Sequence, residues 1–200
     1  MKDVSEKNFG LVIAYLLPGF ICLWGLSFSS NEIAAWLANS SAGESPSVGG
    51  FLYATLASLA IGLVLSALRW LVIDHFHYWT GIPPPSIDFS ELRDADKFAA
   101  FQAVVEAHYR HYQYYSNTLV GIIVSFLTYI VRGPDFPSWY TWVAVVAILI
   151  ALFCGSRDAM RKYFVRAEKI LGVSASEEKL YDKSLGQAQD EAQSQEKGQA

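Results

Sequence analysis

The sequence predicts an all-α integral membrane protein: four transmembrane helices, a long cytoplasmic extension of helix 3, and a juxtamembrane amphipathic helix. Three observations carry that expectation. The 200 residues are 52% hydrophobic and only 17% charged, below the roughly 25% charge of soluble domains. The apolar residues fall into blocks at 10–28, 49–73, 116–131 and 138–155, each close to or above the ~17–25 residues that cross hydrocarbon. Finally, fourteen of the fifteen Lys and Arg lie before span 1, from the end of span 2 (Arg69) to span 3, or after span 4, leaving only Arg132 on the opposite side. By the positive-inside rule both termini are cytoplasmic, in a cell inner (plasma) membrane.

Residues 1–9 then form a cytoplasmic N-terminus. A cleaved signal peptide is the competing reading of this end, but the apolar run of about 20 residues exceeds the ~7–15 of such a segment. Span 1 contains LLPGF. Pro18 has no N–H, so the Ala14 carbonyl loses its helical donor, and with Gly19 beside it the pair is expected to act as a hinge or packing bend. Cys22 and Cys154 fall near opposite leaflets, which argues against a disulfide, and no metal-ligand spacing exists between them.

After span 1, NEIAAWLAN reads as a short interfacial helix anchored by Trp36. Span 2 places Ala54, Ser58, Gly62 and Ser66 four residues apart, a stripe of small side chains along which backbones can approach. Gly121 on span 3 and Ala147, Ala151 and Gly155 on span 4 repeat the idea, and together they predict a tight bundle, within one chain or between copies of a homo-oligomer.

The cytoplasmic loop 74–115 is the one place with room for a soluble feature. IPPPS stops the helix leaving span 2. Asp88 and Glu91 form a capping box, and no breaker other than Gly121 interrupts the sequence from Glu91 to Val131. A single helix of about 60 Å, at 1.5 Å per residue, is expected to rise into span 3.

At 100° per residue, Glu106, Arg110, Gln113 and Asn117 share one face of that helix, and Thr128 continues the line. Polar groups at membrane depth face protein or a wet cavity, so this stripe either packs against another span or lines a pore. His108 and His111 occupy the other side with Tyr112 and Tyr115. His75 and His77 lie at the same membrane surface, so the four histidines are a candidate interfacial cluster for a shared metal, for pH sensing, or for packing alone.

Beyond span 4, residues 156–171 carry five basic and two acidic side chains from Arg157 on, as a basic amphipathic helix on the inner leaflet would. Residues 172–200, with six acids, three lysines and no apolar periodicity, read as a disordered cytoplasmic tail.

The chemistry these residues support is limited. Arg69 and His75 in RWLVIDH match the loose Arg-to-His spacing of HEPN-type ribonucleases, but with seven Arg and four His in the chain such a match arises by chance. Arg69 there is expected to snorkel to the inner surface. No Ser/His/Asp set, phosphate-binding glycine loop or carboxylate pair is present, so the chain is expected to be no enzyme, with no cofactor, resident metal or nucleic acid partner. The leading expectation is a small oligomeric channel or membrane sensor module in contact with membrane lipids. Its rival is a scaffold whose cytoplasmic helices recruit a cytosolic effector protein, and a small transporter comes third for want of a mid-span charge or inverted repeat.

Overall fold

The computed structural model describes residues 2–38, 48–133 and 135–172, and of residues 2–9, 11, 38 and 48 the backbone alone. The tail expected to be disordered lies, past Gly172, outside the described residues, as does the Ser-Gly-Pro loop at 39–47. The described chain is helical and contains no β-strand. Its helices are α1 (Lys2–Leu26), α2 (Asn31–Ala38), α3 (Val48–Arg69), α4 (His75–Trp79), α5 (Ala95–Val104), α6 (Arg110–Arg132) and α7 (Trp139–Leu171). A π-helical turn, Trp70–Asp74, joins α3 to α4, and a second, Val105–Tyr109, joins α5 to α6.

Three helical segments are long and apolar enough to cross a membrane: Gly49–Trp79, Ala95–Arg132 and Trp139–Leu171; a shorter apolar stretch is Val12–Leu26. Their packing inverts that of a soluble protein. Ser58, Arg69, Asp74, His77, Gln113, Ser116, Asn117 and Ser156 are buried, while Phe51, Leu63, Val64, Trp70, Leu71, Val143 and Ile150 face outward. Such an exterior requires an apolar surrounding.

The chain divides into two compact units. The first comprises Met1–Pro83 and Val105–Tyr163, and its centre is α1 packed against both α3 and α6. The small-residue stripe makes this possible. A Cβ on Gly19 would collide with the Ser58 carbonyl, and one on Gly62 with the Tyr15 carbonyl, so α1 and α3 touch backbone to backbone. Gly121 meets α1 from α6 at Pro18, where a Cβ would lie 2.9 Å from the Pro18 oxygen. Ala54 and Ser66 are half-buried at the ends of the stripe. These small residues are used within one chain, so the stripe on α3 gives no reason to expect homo-oligomers.

The second unit comprises Pro84–Val104 and Phe164–Ala200. Its local structure corrects the expected capping box. Asp88 does accept from the Ser90 N–H, at 2.9 Å, but it caps a single 3-10 turn, Phe89–Arg93. Hydrogen bonds from Ser90 hold the Asp88 carboxyl below its usual range. Glu91, instead of reaching back, pairs with Lys97. The following helix starts afresh at Ala95, where Asp94 accepts from the Asp96 N–H at 2.9 Å.

Two further expectations change. The long helix expected ahead of span 3 is present as Ala95–Arg132, four residues shorter at its start and interrupted by the π turn. The basic segment 156–171 is no separate element but the continuation of α7, because no Pro and no unsupported Gly interrupts the sequence after Trp139. Gly155 is filled by the Tyr115 ring, 3.3 Å from where its Cβ would be. The short helix expected after span 1 is present as α2, begun by Ser30, whose Oγ accepts from the Ile33 N–H at 3.4 Å.

Candidate functional site: a buried polar junction of three helices

In the first unit the polar stripe of α6 faces α1. Gln113 Nε2 donates to the Tyr15 hydroxyl at 3.1 Å. Asn117 Nδ2 donates to the Ala14 carbonyl at 3.1 Å, which is the acceptor that Pro18 leaves without a helical donor. Ser125 Oγ, four turns below Arg110, lies 2.6 Å from the Ile21 carbonyl. Thr128 bonds back to the Val124 carbonyl of its own helix at 2.8 Å. At the top of the stripe, Glu106 and Arg110 stand 3.9 Å apart. Gln113, Asn117 and Ser125 thus hydrogen-bond the first helix of the same chain.

The α3–π–α4 segment builds a different kind of site. Five α-helical residues turn through about 500°, leaving residues i and i+5 about 140° apart at 100° per residue. The π turn, closing i to i+5 hydrogen bonds, brings Asp74 back over Arg69, with Arg69 Nε 3.9 Å from Asp74 Oδ1 and both side chains buried. Arg69 therefore does not snorkel: it is 4% exposed.

Tyr112 of α6 completes the pair. Its hydroxyl donates to Asp74 Oδ1, while the Arg69 guanidinium lies 5.0 Å over its ring centroid, a cation–π contact in a desolvated setting. One turn beyond Asp74, His77 is fully buried. Its ring stacks on Phe153 of α7 at 5.1 Å, and its Nε2 lies 3.1 Å from Ser156 Oγ. Ser156 spends its own proton on the Phe153 carbonyl, at 2.9 Å. The serine oxygen must then accept, which puts a proton on His77 Nε2 and makes Nδ1 the acceptor of the neutral ring.

Arg157, next in sequence, locks α7 onto the end of α4. Its Nη2 donates to the Thr80 carbonyl at 2.7 Å and its Nη1 to the Thr80 hydroxyl at 2.5 Å, a cation on the carbonyl end of a helix. Gly81, at φ 94°, then ends the segment.

The junction is incompletely satisfied. Arg69 Nε and Nη1 and His77 Nδ1 are buried without hydrogen-bond partners, a rare and costly condition for such groups. Together, a carboxylate, a phenol and a guanidinium form a buried cluster in which Tyr112 and Asp74 share a hydrogen-bonded proton, with the His77 imidazole beside the Tyr112 ring at 6.0 Å between centroids.

The four histidines do not assemble. His77 is buried at the junction, His75 is exposed beside Trp70 with Nδ1 3.2 Å from that residue's carbonyl, His111 is exposed next to Tyr115, and His108 is half-buried. Among the described residues no three His, Cys, Asp or Glu side chains converge to hold a metal. Sequence reasoning placed Tyr112 and His77 on the correct helices but missed Arg69, Asp74, Ser156 and Arg157 as partners. The one signal available was two ionisable residues, Arg69 and Asp74, at the end of an apolar span.

The fold and junction together define a class, a helical protein with an apolar exterior and a buried ionisable centre. Compared with family models, curated proteins and solved structures, the chain matches none.

Proposed function

We propose that this chain is a four-span membrane protein with both termini in the cytoplasm, working as a membrane-anchored scaffold that presents its cytoplasmic segments to a cytosolic effector. One observation carries the preference over a channel: Gln113, Asn117 and Ser125 are spent on α1 of the same chain, leaving no polar stripe on α6 to line an axis between copies. A second supports the scaffold. The unit containing Pro84–Val104 lies outside the apolar blocks and carries Phe89 at 61% and Phe98 at 45% exposure, apolar groups suited to a protein partner. Fourteen of the fifteen basic residues favour the cytoplasm for that unit.

A sensor is the second reading, favoured by the Arg69–Asp74–Tyr112–His77 junction, since buried ionisable groups in such helices mark functional sites by default. In that version the junction biases how the cytoplasmic unit is presented.

The test has two arms. Single cysteines at Glu106, Gln113 and Asn117, compared with His108 and Tyr115 in a background lacking Cys22 and Cys154, should give no disulfide-linked dimers through the stripe. Photo-crosslinking residues at positions 89 and 98 should capture a discrete cytosolic protein in cells. Dimers confined to the stripe together with ion flux into proteoliposomes would restore the channel, and adducts to lipid alone would end the scaffold.

A further inference from the structure

Where α1 passes the upper end of α6, a pocket of about 290 Å³ opens between them, bounded by Gly10, Ile13, Glu106, Arg110, His111 and Tyr115 among others. Its shape depends on Gly10. The Arg110 stem lies where a side chain on residue 10 would go, with Cδ 3.2 Å from the position of a Cβ. Arg110 Nε and Nη1 are buried without a hydrogen-bond partner. Its Nη2 is 3.9 Å from Glu106 Oε1, beyond hydrogen-bond reach. A guanidinium largely withdrawn from water and lacking an acceptor is costly to keep, and an anionic oxygen seated in the pocket would relieve that cost with charge-assisted bonds.

The neighbouring carboxylate decides which anion fits. Glu106 disfavours a ligand of net negative charge and offers an acceptor for an ammonium group, within a few ångströms of the place where the anion would sit. The remaining walls are Ile13, Ala14, His111 and the Tyr114 and Tyr115 rings, a mostly apolar lining suited to hydrocarbon and ester groups. Under the membrane reading this pocket stands at the headgroup level of the inner leaflet, where pockets between spans take lipid headgroups.

We propose that the Gly10–Glu106–Arg110 pocket binds the headgroup of a zwitterionic, primary-amine phospholipid of the ethanolamine type, with its phosphate on Arg110 and its ammonium on Glu106. A choline headgroup matches the charges but has no N–H to donate to Glu106, and a glycerol headgroup lacks the cation. The site rests on the chain lying in a membrane and not on the scaffold reading, so the absence of a cytosolic partner leaves it standing.

The test uses the full chain, stripped of lipid in detergent and titrated with short-chain phosphatidylethanolamine, phosphatidylglycerol and phosphatidylcholine, and with soluble glycerophosphoethanolamine. Bound adducts are counted by native mass spectrometry. Phosphatidylethanolamine should bind about tenfold tighter than the other two lipids, the order expected of one charge-assisted hydrogen bond, and the soluble headgroup should bind weakly. Glu106→Gln should abolish the preference over phosphatidylglycerol, and Arg110→Gln should weaken all three lipids together. Each preference is a ratio within one variant, so a loss of stability does not imitate it. Equal or tighter binding of phosphatidylglycerol by the unmodified chain, or a ranking unchanged in Glu106→Gln, would overturn the assignment. Soluble headgroup binding as tight as the lipid would replace the membrane ligand with a free phosphoamine.

Discussion

The two faces of α6 solve the problem of buried polarity in opposite ways. Toward α1, neutral amides and hydroxyls meet backbone carbonyls: Asn117 to Ala14 and Ser125 to Ile21. Toward α3, α4 and α7, ionisable groups meet one another: Arg69, Asp74, Tyr112 and, one turn on, His77. Below Glu106 and Arg110, the first face spends only uncharged groups on α1. The second keeps charge out of water with three nitrogens left unpartnered. A protein needing only a stable bundle has a use for the first arrangement, whereas the second is expensive and is the place to look for switching.

Substitutions can separate the two faces, beginning with the largest expected loss. Asp74→Leu strands the Arg69 charge and should lower unfolding stability in detergent by ~3–5 kcal/mol, whereas the double change Arg69→Met, Asp74→Leu should regain most of it. If the double variant is no better than the single one, the pair is not the main interaction of the junction. Between α1 and α3, Gly19→Ala or Gly62→Ala puts a methyl against a carbonyl of the facing helix and should cost about 1–3 kcal/mol, read as a drop in thermal midpoint. A neutral outcome would mean that α1 and α3 do not touch backbone to backbone.

The hydrogen bond at the bend permits a sharper test. Asn117→Leu leaves the Ala14 carbonyl bare and should cost ~1–3 kcal/mol, but much less in a Pro18→Ala background, where residue 18 regains an N–H for that carbonyl. A double-mutant cycle measures the difference, and strict additivity would detach Asn117 from the proline. The smallest effect belongs to Ser156→Ala. It removes the acceptor of His77 Nε2 and should cost about 0.5–1.5 kcal/mol, visible as a changed ring-proton spectrum of His77 with little movement in the overall melt.

Much of this architecture is legible in the chain because burial in hydrocarbon leaves a plain compositional mark. The apolar blocks, the IPPPS break between the second and third of them, the small-residue stripe on α3 and the polar stripe from Glu106 to Asn117 all follow from residue type and helical period. The freed Ala14 carbonyl follows from the chemistry of Pro18 alone. The donor that satisfies it does not, since Asn117 lies 103 residues away and many polar groups could have served.

The junction was the least legible part, for a definite reason. Reading at 100° per residue puts Arg69 and Asp74 on different faces, and only the π turn at Trp70–Asp74 brings them together; no residue in WLVID announces a π turn. The same limit split the four histidines, which the sequence puts near the ends of two apolar blocks but not on one side of their helices. Composition and period, being local, determined that this chain makes long apolar helices, where they stop, and which faces are polar. Tertiary packing decided what each polar face meets, because the choice between a neighbouring helix, a lipid headgroup and a second copy depends on surfaces far apart in sequence.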